Sequence, residues 1–236
     1  MNLKLLEKGL IELGIKYSTD TISKFSLYLK ELHEWNEKVN LTGIMDENEI
    51  IKKHFLDSLS CVLACHNFSG KSGIDVGTGA GFPGLPLKIC FPDFKITLLD
   101  SSNKKIKFLE HIVNLLELSR VEILHGRAED FARGSYREKY DIVLARAIAK
   151  LPILIEICLP FTKTGGILLA QKAELKEEIN NSQKILELVA GKIKEIKEIK
   201  VPFLDAKRNI VIIEKEKPAS IKYPRRPGIP QKRPIL

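Results

Sequence analysis

The stretch G-I-D-V-G-T-G-A-G-F-P-G, residues 73–84, runs from an apolar segment into four glycines, Gly77, Gly79, Gly81 and Gly84. Glycine tolerates positive φ and lets a backbone come close to a ligand, and Pro83 suits the first turn of a following helix. A strand, a glycine-rich turn and a helix in succession make the nucleotide-cofactor loop of a Rossmann-like α/β domain. Residues 79–84 also match G-x-G-x-x-G, so the glycines alone leave a dinucleotide-binding dehydrogenase open.

Outward from the loop, short apolar runs alternate with helical stretches, the pattern of βαβ units and a parallel sheet. Strands are predicted over 73–76, 95–100, 121–125, 140–145, 166–171, 194–201 and 209–215, with helices over 84–90, 104–116, 149–159 and 173–188. Only residues 202–208 separate the last two strands, which predicts an antiparallel hairpin at one edge. The lysines of 192–200 read as the solvated face of an edge strand.

Residues 1–66 read as an N-terminal helical subdomain. Leu3, Leu6, Leu10 and Leu13, then Ile22, Phe25, Leu29 and Leu32, recur at spacings of three and four, with Thr19 or Asp20 as an N-cap. A third helix is predicted after Asp46, with an apolar face running from Ile50 to Leu63. The core then spans 67–216, and a tail of 217–236 follows.

Three neighbours of the loop bear on the cofactor. Asp75 lies two residues before Gly77, where an acid can hold the loop and face the ammonium group of a methionine moiety; dehydrogenase loops usually carry an apolar or small residue there. Asp100, ending the second strand, can accept hydrogen bonds from ribose hydroxyls in either reading. After the third strand, Ala128 and Glu129 can line an adenine edge. Together these favour S-adenosyl-L-methionine on a seven-stranded methyltransferase sheet.

The fourth strand ends A-R-A at 145–147 and should deliver the residues nearest the transferred methyl. No N/D-P-P-aromatic motif for exocyclic amines is present, and Cys158 falls in the following helix, where core packing is favoured over a role as nucleophile for carbon methylation. Guanine N7, with an exposed lone pair and no proton to lose, needs alignment and no general base. No catalytic acid or base is therefore expected. A ribose hydroxyl is the competing acceptor and would need a lysine-centred base. Arg146 is expected to point into the cleft toward cofactor or guanine. Lys172 either contacts RNA phosphate or is a solvated lysine. His54 and Asp57, one turn apart, are read as a structural polar pair or a wall of the substrate site.

With 44% apolar and 29% charged residues among 236, the composition is that of a soluble globular protein, and no run is apolar enough for a membrane helix. Four cysteines without C-x-x-C pairs read as reduced thiols, and no metal site is expected. The formal charge is +8, of which the tail carries +6 through six Lys/Arg and no acid. Five prolines make that tail extended, and Arg225, Arg226, Lys232 and Arg233 are candidates for phosphate contacts, with a merely solubilising tail as the alternative.

The motifs W-N-E-K-V-N-L-T (35–42), H-F-L-D-S (54–58), D-V-G-T-G-A-G-F-P-G (75–84), L-L-D-S (98–101), A-R-A (145–147) and Y-P-R-R-P-G-I-P-Q-K-R-P (223–234) resemble those of a known family. It is that of the bacterial 16S ribosomal RNA guanine-N7 methyltransferases of the RsmG type, also called glucose-inhibited division protein B. The resemblance covers nearly the whole chain. It implies a cytoplasmic enzyme, expected to be a monomer, that uses S-adenosyl-L-methionine to methylate one guanine N7 in the decoding region of the small ribosomal subunit. It also places Gly77, Phe82, Ala128, Glu129 and Arg146 at cofactor-binding positions, to which Asp75, Gly79 and Asp100 are added from the loop. Gln171-Lys172-Ala173 departs from the L-K-G of many relatives. An RNA-binding assembly factor that keeps the fold without turnover is the alternative from another functional class.

Overall fold

The computed structural model describes residues 3–236, Lys176 by its backbone alone, so Met1 and Asn2 of the predicted helical subdomain lie outside the described residues. Seven strands form one sheet: β1 (Ser72–Val76), β2 (Lys95–Asp100), β3 (Val121–His125), β4 (Tyr140–Arg146), β5 (Thr162–Lys172), β6 (Gly191–Ile199) and β7 (Arg208–Lys215). Their order is β3-β2-β1-β4-β5-β7-β6. β1 to β5 pair in parallel, and the β6–β7 hairpin adds on with β7 antiparallel to β5.

The register aligns the C-terminal ends of the parallel strands, with Val76 opposite Leu99 and Ala145, Asp100 opposite His125, and Arg146 opposite Gln171. The order reverses between β1 and β4, where an open α/β sheet leaves a crevice. β6 is the edge, and its exposed Lys192 and Lys194 discourage further pairing.

The central strands β1, β2 and β4 are buried on both faces, as parallel strands are. Successive residues of one strand point to opposite sides. Leu98, Ile142 and Leu144 therefore join one apolar cluster with Leu6, Phe25 and Phe55 of the N-terminal helices. Leu99, Val143 and Ala145 join another with Leu154 and Val211.

The helices are α1 (Lys4–Glu12), α2 (Thr19–Val39), α3 (Glu47–Ile50), α4 (Asp57–Leu59), α5 (Gly84–Cys90), α6 (Asn103–Leu115), α7 (Ala128–Arg133), α8 (Leu151–Cys158), α9 (Gln183–Leu188) and α10 (Ile229–Lys232). None among the described residues is long and apolar enough to cross a membrane.

Several helix boundaries differ from expectation, each for a physical reason. Ser18, not Thr19 or Asp20, caps α2: its backbone is extended, and its hydroxyl and the Thr21 side chain satisfy each other's backbone N–H groups. Asp46 caps α3 as predicted, but the helix widens into a π turn over Ile51–Leu56 before α4. The helix predicted over 173–188 survives only as α9, after two 3₁₀ turns. Glu178 is drawn instead to the rim of the sheet, where it accepts from Leu151 N at 2.7 Å and pairs with Lys172 at 2.8 Å. α7 and α10, of six and four residues, are too short to show a helical period in sequence.

The N-terminal helices meet the cofactor loop through Tyr28. Its buried hydroxyl donates to the Ala80 carbonyl, and its ring packs on Phe55 at 5.3 Å and Phe82 at 5.5 Å. Tyr28→Phe keeps the packing but strands a buried carbonyl. It is expected to cost about 1–3 kcal/mol in urea unfolding; unchanged stability would show that the bond contributes nothing to docking.

Candidate active site

The loop after β1 is held from beneath by a buried carboxylate. Asp75 Oδ2 accepts the Thr78 hydroxyl at 2.6 Å and the Gly84 amide at 2.8 Å, closing residues 75–84 into one turn. Gly84 has to be glycine, since a Cβ there would lie 2.9 Å from that same oxygen. Oδ1 is buried without a hydrogen bond, and burial raises the Asp75 pKa from 3.8 to about 6. Gly77 has φ +67, and a Cβ there would strike Ile148 at 2.4 Å, so the loop and the end of β4 meet backbone to side chain.

Above this turn lies a cleft of about 290 Å³, lined among others by Gly77, Asp100, Ala128, Glu129, Ile148 and Gln231. Each Asp100 oxygen accepts one amide, Oδ2 from Gly79 and Oδ1 from Ser102, both at 2.9 Å. Glu129 is almost wholly buried, and its Oε1 accepts from Arg127 at 3.2 Å and from the Gly228 amide at 3.1 Å. Four of the eight residues predicted to bind cofactor thus line one cleft. Gly79 meets it through Asp100, and Asp75 lies beneath the loop.

Phe82 and Arg146 face the other way. Phe82 stacks on the His54 ring, centroids 4.7 Å apart, and the Arg146 guanidinium lies 5.3 Å from the Phe82 centroid. Arg146 donates to Asp57 Oδ2 at 2.8 Å and to the Lys53 carbonyl at 3.1 Å. Lys53, His54, Asp57 and Arg146 line a second cavity of about 440 Å³, which also includes Gln171, Lys172 and Arg208. Arg208 Nε stands 3.2 Å from Asp57 Oδ1, but without hydrogen-bond alignment, and Gln171 donates to the Asp57 carbonyl at 2.8 Å while its own Oε1 has no hydrogen bond. Ala147 lines both cavities and sits at φ +55, a left-handed conformation costly for a residue with a Cβ.

His54 shares a 2.6 Å hydrogen bond with Thr42 through Nε2, and Arg146 Nη2 lies 3.5 Å from Nδ1. Burial, then the Arg146 charge, lowers its pKa from 6.5 to about 4, so the ring is neutral at neutral pH. With Arg146 on the Nδ1 side, the ring proton belongs on Nε2, donated to Thr42. His54 and Asp57 are not paired with each other, since each is turned to its own partner.

Of the remaining predicted residues, Arg225 and Lys172 are engaged differently from expectation. Arg225 is not free for phosphate: its guanidinium binds buried Glu156 at 2.8 and 2.7 Å, because an uncompensated carboxylate there would be costly. Arg226 is exposed. Lys172 is tied to Glu178 and to the Ala149 carbonyl at 3.0 Å, yet borders the second cavity.

The family model described as GidB, rRNA small subunit methyltransferase G, matches residues 21–211. The chain belongs to this family. A ribosomal RNA small subunit methyltransferase G of Alkaliphilus metalliredigens is 48% identical over 233 residues, covering 98% of each chain. One from Bacillus cereus is 47% identical over 238 residues, covering 100% of this chain and 99% of the relative. Among solved structures, a SAM-dependent methyltransferase from Aquifex aeolicus aligns with TM-score 0.51 at 19% identity, over 71% of this chain and 93% of that one. M. jannaschii TYW2 in complex with AdoMet aligns at 0.53 and 15% identity, over 73% and 77%. The sheet is thus the Rossmann-like fold of S-adenosyl-L-methionine-dependent methyltransferases, and the chain is a 16S ribosomal RNA methyltransferase with that cofactor.

Tyr28, Thr42, Arg208 and Gln231 were not singled out by sequence. Tyr28 blends into an apolar helix face and Thr42 into the W-N-E-K-V-N-L-T motif. Arg208 reaches the rim only because β7 starts beside the end of β5.

The raised Asp75 pKa makes a test of the loop. Its folded value lies above the unfolded one, so the stability linked to the protonated acid is complete below about pH 4 and is lost as pH rises through about 6. Asp75→Asn escapes that loss. Relative to wild type, the variant is expected to gain about 1–3 kcal/mol between about pH 4 and about pH 7.5, measured by urea unfolding; a difference that does not vary with pH would contradict the buried, strained carboxylate.

Proposed function

We propose that the chain methylates N7 of one guanine in the decoding region of small-subunit ribosomal RNA, with cofactor in the first cleft and guanine in the second cavity. The carrying observation is that the two cavities meet at Ala147, just past the end of β4. S-adenosyl-L-methionine suits the first: open space beside the Gly79 backbone, where an added Cβ would meet only Lys105 Nζ at 3.9 Å, and carboxylates on Asp100 and Glu129 with lone pairs left for ribose and adenine donors. Gly77, Asp100, Ala128 and Glu129 would hold the cofactor, with Asp75, Gly79 and Phe82 shaping the loop and Arg146 bordering the methyl end. When bound, the cofactor supplies a sulfonium methyl whose transfer moves the positive charge onto the purine without releasing a proton.

Guanine suits the second cavity. Its O6 accepts, and its exocyclic amine donates. Arg146 and Arg208 offer donors there, while Asp57 Oδ1 and Gln171 Oε1 are buried acceptors without a hydrogen bond. Neither candidate base in this cavity is poised to take a proton: the Asp57 carboxylate is held between two guanidinium groups, and His54 is committed to Thr42. The work of these residues is to hold the purine plane, which is what an acceptor with an available lone pair requires. Lys172 and exposed Arg226 are placed on the RNA side, adding affinity without reading sequence. The helices of 1–66 wall the guanine side, the core of 67–216 carries the cofactor, and the enzyme works as a cytoplasmic monomer.

Incubation of unmodified small subunits with methyl-labelled cofactor should place label in N7-methylguanosine; label in a 2′-O-methylated nucleoside instead would sink the acceptor assignment. Asp57→Asn should lower that transfer by about 10- to 100-fold, while S-adenosylhomocysteine affinity, read by calorimetry, stays within about threefold of wild type.

A further inference from the structure

The basic C-terminal segment is bound to the core at three places. Arg137 donates to the carbonyls of Ala219, Ser220 and Tyr223 at 2.8, 3.1 and 2.7 Å. Arg225 makes its two-point bond to buried Glu156 on α8, and its backbone N–H reaches the same carboxylate at 3.0 Å. Gly228 N–H then reaches Glu129 in the first cleft. Pro224 and Pro230 are buried, and Tyr223 and Ile235 pack against the second apolar cluster. Three residues past Gly228, Gln231 lines the cleft, and its side-chain amide makes no hydrogen bond among the described residues.

We propose that the C-terminal segment forms one wall of the cofactor site, with Gln231 contacting the bound cofactor and the Glu156–Arg225 pair positioning it. The inference rests on the assignment of the first cleft to S-adenosyl-L-methionine. Glu129 joins the two parts: one oxygen is fixed by the tail amide and Arg127, and Oε2 makes no hydrogen bond among the described residues. A carboxylate oriented in this way accepts from the ligand without first having to be ordered, and ordering costs affinity. Gln231 offers a donor and an acceptor to the same cleft. The proline-rich sequence suits this use, since a chain with restricted φ loses less freedom when it is pinned at a few points.

The test is calorimetric titration of the full-length chain with S-adenosylhomocysteine, alongside thermal unfolding without ligand. Gln231→Ala is expected to bind at least about threefold more weakly with unchanged melting temperature, since it removes no hydrogen bond of the free protein. Arg225→Ala is expected to bind still more weakly. In the wild type, ligand should slow hydrogen exchange in the 217–236 peptides. Affinity within twofold of wild type in both variants, with no slowing of exchange in the tail, overturns the inference. Failure of the wild-type chain to bind S-adenosylhomocysteine at all would instead overturn the cofactor assignment.

Discussion

A carboxylate with no access to water, Asp75, closes the turn on which both cavities are built. Ionised burial is costly, and it is offset in part by the pair of hydrogen bonds from Thr78 and Gly84, with a smaller contribution from the Arg146 charge. Those two bonds fix where the chain reverses after β1, and the reversal fixes the rest. Gly77 is turned up toward the first cleft, and Phe82 is thrown to the opposite side, where Tyr28, His54 and Arg146 converge on its ring. The N-terminal helices therefore dock onto the loop itself. A change in the loop is felt in the second cavity as well as in the first.

The electrostatics of the two cavities differ in kind. The first balances two carboxylates, Asp100 and Glu129, each engaged with backbone amides and thereby oriented, against Lys105 and Arg127. The second sets one buried carboxylate, Asp57, between two guanidinium groups, leaving a net positive site. Such a site attracts polyanionic RNA and still presents acceptors to a base edge. The Arg146 charge also helps keep His54 neutral, so the aromatic stack on Phe82 is made by an uncharged ring. Ala147, in its left-handed conformation between the two, keeps the end of β4 thin where the cavities meet.

Much of the candidate site was legible because Rossmann-like sheets collect their ligands at the C-terminal ends of parallel strands. Once the strands were placed, Gly77, Asp100, Ala128 and Glu129 followed from position along the chain, and the structure gathers all four in one cleft. The helix over 173–188 was misread because its propensity is overridden by tertiary contacts, Glu178 reaching back to Lys172 and across to Leu151. Arg225 was misread for a related reason: a basic residue in a proline-rich tail looks solvent-bound until its buried partner, Glu156, 69 residues away, is in view.

The order of short apolar runs, the glycines and the acids beside them determined by themselves that this is a doubly wound nucleotide-cofactor fold, and the flanking motifs pointed to a ribosomal RNA methyltransferase. Those signals are local, written in the spacing of residues within one strand, turn or helix. Only the tertiary structure decided that Arg146 turns to Asp57, that Arg208 enters from β7, that Tyr28 grips the loop and that the tail folds back to bring Gln231 to the cleft. Each of these depends on contacts between residues far apart in the chain, and on which charges are buried together, which no local spacing encodes.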